Sequence, residues 1–194
     1  MCVRMMMSGY AVALISPVTG MNNIHRQKSS RMDKAAFRTA FGAVYEHSPW
    51  LAEEVFDTGV DAILADADAL NARFESVFLA AGKPRQLAVL QAHPQLACAR
   101  AEQTELTAAS RREQTGAGLD QCTEAEFNQF IDMNEKYMNK NNFPFIIAVK
   151  GRNRQQILEA FKNRLDNDTS SEFQTALEQV CQIAKFRIKD ILRG

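Results

Sequence analysis

The sequence predicts an all-α fold: a single domain of about seven to eight helices with one short extended segment. Three observations carry that expectation. The 194 residues include only 9 Gly and 5 Pro, too few turn formers for the frequent reversals of a sandwich or barrel. Aromatic residues make up only 8%, while Ala, Leu, Glu, Gln, Lys and Arg are abundant. Apolar residues also recur at intervals of three and four along most of the chain.

Charge and hydropathy narrow the function classes. Lys+Arg and Asp+Glu number 23 each, so the net charge is zero, and no excess of cations is available to bind nucleic acid. Hydrophobic residues at 46% fit a globular protein. Residues 1–31 are rich in Met, lack any acidic residue and contain Ser16, Pro17 and Gly20, as expected of a flexible N-terminal extension. Their apolar stretch, residues 10–15, is far below the ~18 residues that span a bilayer. No membrane association is expected. Residues 32–194 read as one domain.

Within that domain the first helix starts at Asp33 and carries Phe37, Phe41, Val44 and Tyr45 to a stop near Ser48-Pro49. A second runs over residues 61–81 through Leu70, Phe74 and Phe78, with Gly82 as its stop. Pro84 opens a short helix that must end at His93, because Pro94 follows. The next starts near residues 104–107 and ends before Gly116 and Gly118. Thr123-x-x-Glu126 and Thr169-x-x-Glu172 have the spacing of capping boxes. The first opens a helix ending in the polar run 139–142, and the second opens a final helix to about Leu192. Between them, residues 153–166 form another helix. Phe143 to Val149 departs from this rhythm, since an apolar, β-branched run between turn signals has the pattern of a buried strand. A lone strand in a helical fold must satisfy its backbone from side chains, water or a ligand, which makes it a candidate wall of a binding site.

Few residues can do chemistry. Cys2, Cys98, Cys122 and Cys181 are scattered without metal-ligand spacing, so reduced thiols in a cytoplasmic protein and no metal site are expected. Of the three histidines, His25 lies in the leader and His47 precedes Ser48-Pro49. His93 is held at a turn by Pro94, where it either complements a helix C-terminus or exchanges a proton near neutral pH. Ser110, Glu113 and Gln114 share one helical face, suited to a polar ligand or to solvent. Arg187 falls on the inward stripe of the last helix with Phe173, Leu177, Val180, Ala184 and Ile191. A buried guanidinium requires a carboxylate, from the protein or from a ligand. Arg164, at the edge of its stripe, reads as a surface charge. Nucleotide and hydrolase motifs are absent, which leaves a cofactor-free site as the default.

Taken in order, these residues resemble the OHCU decarboxylase family. The resemblance rests on His93-Pro94-x-Leu96, Leu106-Thr107-x-x-Ser110-x-x-Glu113-Gln114, Ala117-Gly118-Leu119, and Asn134-x-x-Tyr137 leading into Phe143 to Val149. Tyr45-Glu46-His47-Ser48-Pro49-Trp50 precedes them, and the likeness covers residues 33–192. Ala97-Cys98, where the family often has Gly after the leucine, is a minor departure.

The resemblance implies a helical homodimer that decarboxylates 2-oxo-4-hydroxy-4-carboxy-5-ureidoimidazoline to (S)-allantoin in urate breakdown without a cofactor. Its small-molecule substrate is then supplied by uricase and hydroxyisourate hydrolase. His93 is implied as the catalytic proton donor, assisted by Glu113 through the tautomer and charge of the ring. Pro94, Ser110, Arg111, Arg112, Glu113, Gln114 and the backbone of Phe145, Ile146, Ile147, Ala148 and Val149 are implied to bind substrate. Arg187 matches an arginine placed against the substrate carboxylate. The C-terminal Leu192-Arg193-Gly194 is unlike a peroxisomal Ser-Lys-Leu signal, in keeping with the cytoplasm. The alternative from another class is a catalytically silent helical interaction module on the same scaffold.

Overall fold

Asp33 begins the fold by offering its carboxylate to the Ala36 N–H at 2.8 Å, which caps α1 (Lys34–Phe41). The structure, a computed structural model, describes residues 32–96 and 106–194. The leader, with Cys2 and His25, and the Ala97-Cys98 pair lie outside the described residues. After α1 come α2 (Trp50–Asp57), α3 (Ala67–Ala80), α4 (Lys83–Gln91) and α5 (Ala108–Gly116). A single 3-10 turn at Leu119–Gln121 leads to α6 (Glu124–Asn141), α7 (Arg154–Leu165) and α8 (Thr169–Arg193). The described residues therefore hold eight α-helices and no strand, so the fold is all-α.

Several boundaries differ from those read in the sequence. Helix α1 stops at Phe41, and the chain turns through residues 42–49 although Val44 and Tyr45 remain buried. Pro49 starts a helix as well as ending a segment: α2 begins directly after it, where a missing N–H costs nothing. Helix α3 starts at Ala67 rather than near residue 61, because Asp66 captures the Asp68 and Ala69 N–H groups at 3.0 Å. The capping box at Thr123 forms as read, with both reciprocal bonds present. The box read at Thr169 does not form. Asp168 caps α8 instead, accepting from Ser170 and Ser171, which leaves the Glu172 carboxylate to turn inward. On α8, Phe173, Leu177, Val180, Ala184 and Arg187 are buried as the stripe predicts, while Ile191 is exposed near the helix end.

Helix α8 is the central element, packed against α1, α3, α4 and α6. On one side of the core, Phe74 of α3 meets Phe37, Phe41 and Tyr45 with ring centroids 6.0–6.3 Å apart. On the other, Tyr137 of α6 meets Phe143, Phe145 and Phe161 edge-on, and Phe145 stacks on Phe161 at 3.8 Å. Aromatic pairs of this kind add to simple area burial. Among the described residues no helix is long and apolar enough to cross a membrane. Cys181 is buried on α8, and burial pushes its thiol up to about 12, so it is chemically inert.

Phe74 is fully enclosed and joins three other rings. Phe74→Ala is therefore expected to destabilise the fold by about 3–5 kcal/mol. The check is a lower urea midpoint with an unchanged m-value.

Candidate active site

Four pieces of chain converge on one hollow: the end of α4, α5, the segment 143–149 and the C-terminal half of α8. Its walls are His93, Pro94 and Leu96, then Ser110, Glu113 and Gln114, then Phe145, Ile146, Ile147 and Val149, with Ile183 and Arg187. The empty space, counted out to the surrounding solvent, is about 360 Å³, and the hollow is partly open.

His93 sits two residues past the end of α4, directly after its C-cap Ala92, where Pro94 prevents further helix. Its Nδ1 lies 2.8 Å from the Val89 carbonyl oxygen. A carbonyl can only accept, so Nδ1 carries the hydrogen and Nε2 is left with its lone pair. Burial pushes the ring down to about 4. The Val89 bond and the Glu46 charge oppose that fall, while the Arg187 and His47 charges add to it. The resting imidazole is thus neutral near pH 7. Glu113 was expected to set this tautomer; the Val89 carbonyl sets it instead, and Glu113 is engaged elsewhere.

That engagement is with Arg187. The guanidinium is 7% exposed and donates from Nε to Glu113 Oε1 and from Nη2 to Glu113 Oε2, both at 2.8 Å. Nη1 reaches Glu46 Oε2 at 2.9 Å and the Val44 carbonyl at 3.3 Å, and Nη2 also meets Ser110 Oγ at 3.2 Å. Burial alone would lower the Arg187 pKa, but bonds and charge from Glu113, with the Glu46 charge, hold it above its ordinary value. Its N–H groups are spent on protein acceptors. Arg187 lines the hollow and, through these bonds, fixes Glu113 in place.

Glu46 went unassigned in the sequence. It is 1% exposed and accepts from Ser110 Oγ at 3.0 Å as well as from Arg187. Burial raises its pKa, yet the Thr107 hydroxyl and the Arg187 charge outweigh burial and hold it below the usual carboxylate range. Its spacing fits no helical stripe, because His47, at φ 47°, reverses the chain beside it. Ile183 could have been found, since it precedes Arg187 by one helical turn. Leu96 is held in place by Asn134 of α6, whose Nδ2 donates to the Leu96 carbonyl at 2.9 Å.

Three residues assigned from the sequence do not line the hollow. Arg111 and Arg112 are exposed, since one- and two-residue steps from Ser110 rotate a side chain off its face. Ala148 is buried but does not line the space, and its N–H donates to Gln179 Oε1 at 3.0 Å. Arg164, read as a surface charge, is instead mostly enclosed, its side chain 11% exposed. It forms a fork on Glu172 at 2.8–3.2 Å, donates to the Ile146 carbonyl at 2.8 Å and stacks over Phe145. Among the described residues no three His, Cys, Asp or Glu side chains come together as a metal site.

A family model described as OHCU decarboxylase matches residues 30–189. A 2-oxo-4-hydroxy-4-carboxy-5-ureidoimidazoline decarboxylase of Haloferax volcanii is 36% identical over 170 residues, covering 88% of this chain and 97% of its own. The uric acid degradation bifunctional protein PucL of Bacillus subtilis is 34% identical over 84% of this chain, which spans 32% of that protein's length. Among solved structures, an (S)-allantoin synthase superposes with a TM-score of 0.66 at 27% identity, covering 86% of this chain and 53% of the other. With the pocket motifs in their places and the match running through nearly the whole described fold, the chain belongs to the OHCU decarboxylase family.

Proposed function

We propose that residues 32–194 catalyse the cofactor-independent decarboxylation of 2-oxo-4-hydroxy-4-carboxy-5-ureidoimidazoline to (S)-allantoin in urate breakdown. The observation that carries this reading is a neutral imidazole, His93, lining a small hollow with Nδ1 committed to the backbone and Nε2 left for a ligand. Membership of the family and the names of its relatives support the choice of substrate.

Losing CO2 leaves an electron pair, and the substrate supplies its own sink. The carbon that carries the carboxylate adjoins a ring C=N bond, so the pair moves through that bond onto nitrogen, which takes up a proton from solvent water. The 4-hydroxyl proton passes to His93 Nε2 as its carbon becomes a carbonyl. The resulting imidazolium returns a proton to the neighbouring carbon from one face and so fixes the product's handedness. His93 is then a donor only after it has acted as an acceptor. Glu113, held square by Arg187, accepts from the ureido N–H groups, and Gln114 with the edge of the 145–149 segment reads the remaining polar atoms. Two carboxylates around one guanidinium leave an excess negative charge beside the pocket, so the anion that CO2 leaves behind is stabilised by delocalisation onto the ring nitrogen and its protonation rather than by these groups. The reading extends to a cytoplasmic homodimer coupled to uricase and hydroxyisourate hydrolase. The bifunctional relative, which carries a segment like this chain within a longer polypeptide, supports the coupling.

His93→Asn is expected to lower kcat by about 10²–10⁴ while the protein stays folded. Substrate generated freshly by uricase and hydroxyisourate hydrolase, with product chirality followed by circular dichroism, provides the check. A near-wild-type rate would remove His93 from the chemistry, and a silent wild type would leave the scaffold as an interaction module.

The acid limb of kcat/KM, which reports the free enzyme, should fall with a midpoint near 4 rather than 6.5, because the neutral ring is the working form. The same depression makes stability fall as pH drops. The folded state binds fewer protons than the unfolded one between about 4 and 6.5, so the His93 contribution is full above 6.5 and lost through about 4. Urea midpoints measured across that range, for wild type and His93→Asn, should differ in slope.

A further inference from the structure

The wall of the hollow at residues 145–149 is itself neither helix nor strand, yet it is buried throughout. Two side chains take the place of a neighbouring strand. Arg164 Nη1 of α7 donates to the Ile146 carbonyl at 2.8 Å, and Gln179 Oε1 of α8 accepts from the Ala148 N–H at 3.0 Å. These backbone groups lie two residues apart. In an extended chain the polar groups of alternate residues face the same edge, and those of the residue between them face the other. The edge toward α7 and α8 is therefore satisfied by protein. An extended backbone through these residues would turn the Ile147 groups to the opposite edge, and Ile147 lines the hollow. Among the described residues no protein group meets the Ile147 N–H or carbonyl.

The Arg164 anchor is itself held. Its fork closes on Glu172, a carboxylate with no exposed surface, which also accepts from Tyr137 Oη and, at 2.7 Å, from Asn167 Nδ2. Burial raises the Glu172 pKa, but bonds from Arg164, Tyr137 and Asn167 outweigh it, so the carboxylate stays charged. Stacking of the guanidinium over Phe145, 4.4 Å from the ring centroid, clamps the start of the wall from the same side.

We infer that Gln179 and Arg164 are positioning residues for the reaction. By fixing the outer edge of the wall from behind, they aim the Ile147 N–H and carbonyl at the ureido and ring amide groups of the substrate. This rests on the decarboxylase reading for the identity of the ligand, while the register of the wall is a property of the chain alone.

Arg164 is a poor place to test this, because any shorter side chain leaves Glu172 buried and unpaired. Gln179 is half-buried and offers a clean pair of variants. Gln179→Leu removes the acceptor, and Gln179→Glu keeps an oxygen in the same place. With freshly generated ureidoimidazoline, Gln179→Leu is expected to raise KM on the order of tenfold and to lower kcat, while Gln179→Glu stays within about threefold of wild type. Amide hydrogen exchange at Ile147 and Ala148 should accelerate roughly tenfold in the Leu variant only, with the α6 amides and the thermal midpoint unchanged. Wild-type kinetics in Gln179→Leu, equal impairment in both variants, or unaltered exchange in the wall would each overturn the assignment. If the wild type fails to turn over the ureidoimidazoline, the decarboxylase reading fails, and the positioning role for that reaction fails with it. The exchange data still decide whether Gln179 holds the wall.

Discussion

The rest of the site depends on one buried cation. Arg187 stands on the inward face of the central helix α8, and its guanidinium spans two carboxylates from distant parts of the chain, Glu46 and Glu113. Taking such a group out of water is costly unless every N–H finds an acceptor. Here the acceptors fix the turn after α1, the middle of α5 and the end of α8 against one another. Two side-chain oxygens of Glu113 meet two guanidinium nitrogens in a planar fork, which determines direction as well as distance. The pocket carboxylate is therefore oriented before any ligand arrives. Such preorganisation lowers the cost of arranging dipoles during the reaction.

A second pair, Arg164 with Glu172, does comparable work behind the opposite wall. The two clusters share a principle. Each uses a cation to satisfy backbone carbonyls that no helix or strand accommodates: Val44 for Arg187 and Ile146 for Arg164. Irregular chain is thereby held close to a helical core without leaving carbonyls stranded. Helices supply the rigid frame, and the irregular pieces supply the edges that a polar, planar ligand needs.

The chemistry such a site favours follows from the state of His93. Enclosed on nearly all sides and bonded through Nδ1 to its own helix, the ring is neutral and presents one lone pair. A neutral base beside an excess of negative charge does not suit the stabilisation of an oxyanion. It suits removal of a hydroxyl proton and its redelivery to an adjacent carbon, while the ligand's own C=N bond accommodates the electrons released with CO2. In the proposed reaction the protein's part is orientation and proton traffic.

Much of this was legible locally. Asp33, the capping box at Thr123, Pro84 and Pro94 mark their boundaries because caps and prolines act within a turn or two of chain. Periodicity on α8 placed Arg187 inside, and the orphan apolar run at 143–149 announced a wall that would need unusual partners. The sequence did not reveal that α1 ends early, that Asp168 displaces Thr169 as a cap, or that Arg164 is mostly enclosed, since each outcome depends on what packs nearby. By itself the sequence determined most of the helical segments and that Arg187 must lie inside, because those follow from interactions between residues three or four apart. Only the tertiary structure decided which charge answers which. Arg187 meets Glu46 across 141 positions and Glu113 across 74, and no local pattern encodes a pairing that exists only once the chain has closed on itself.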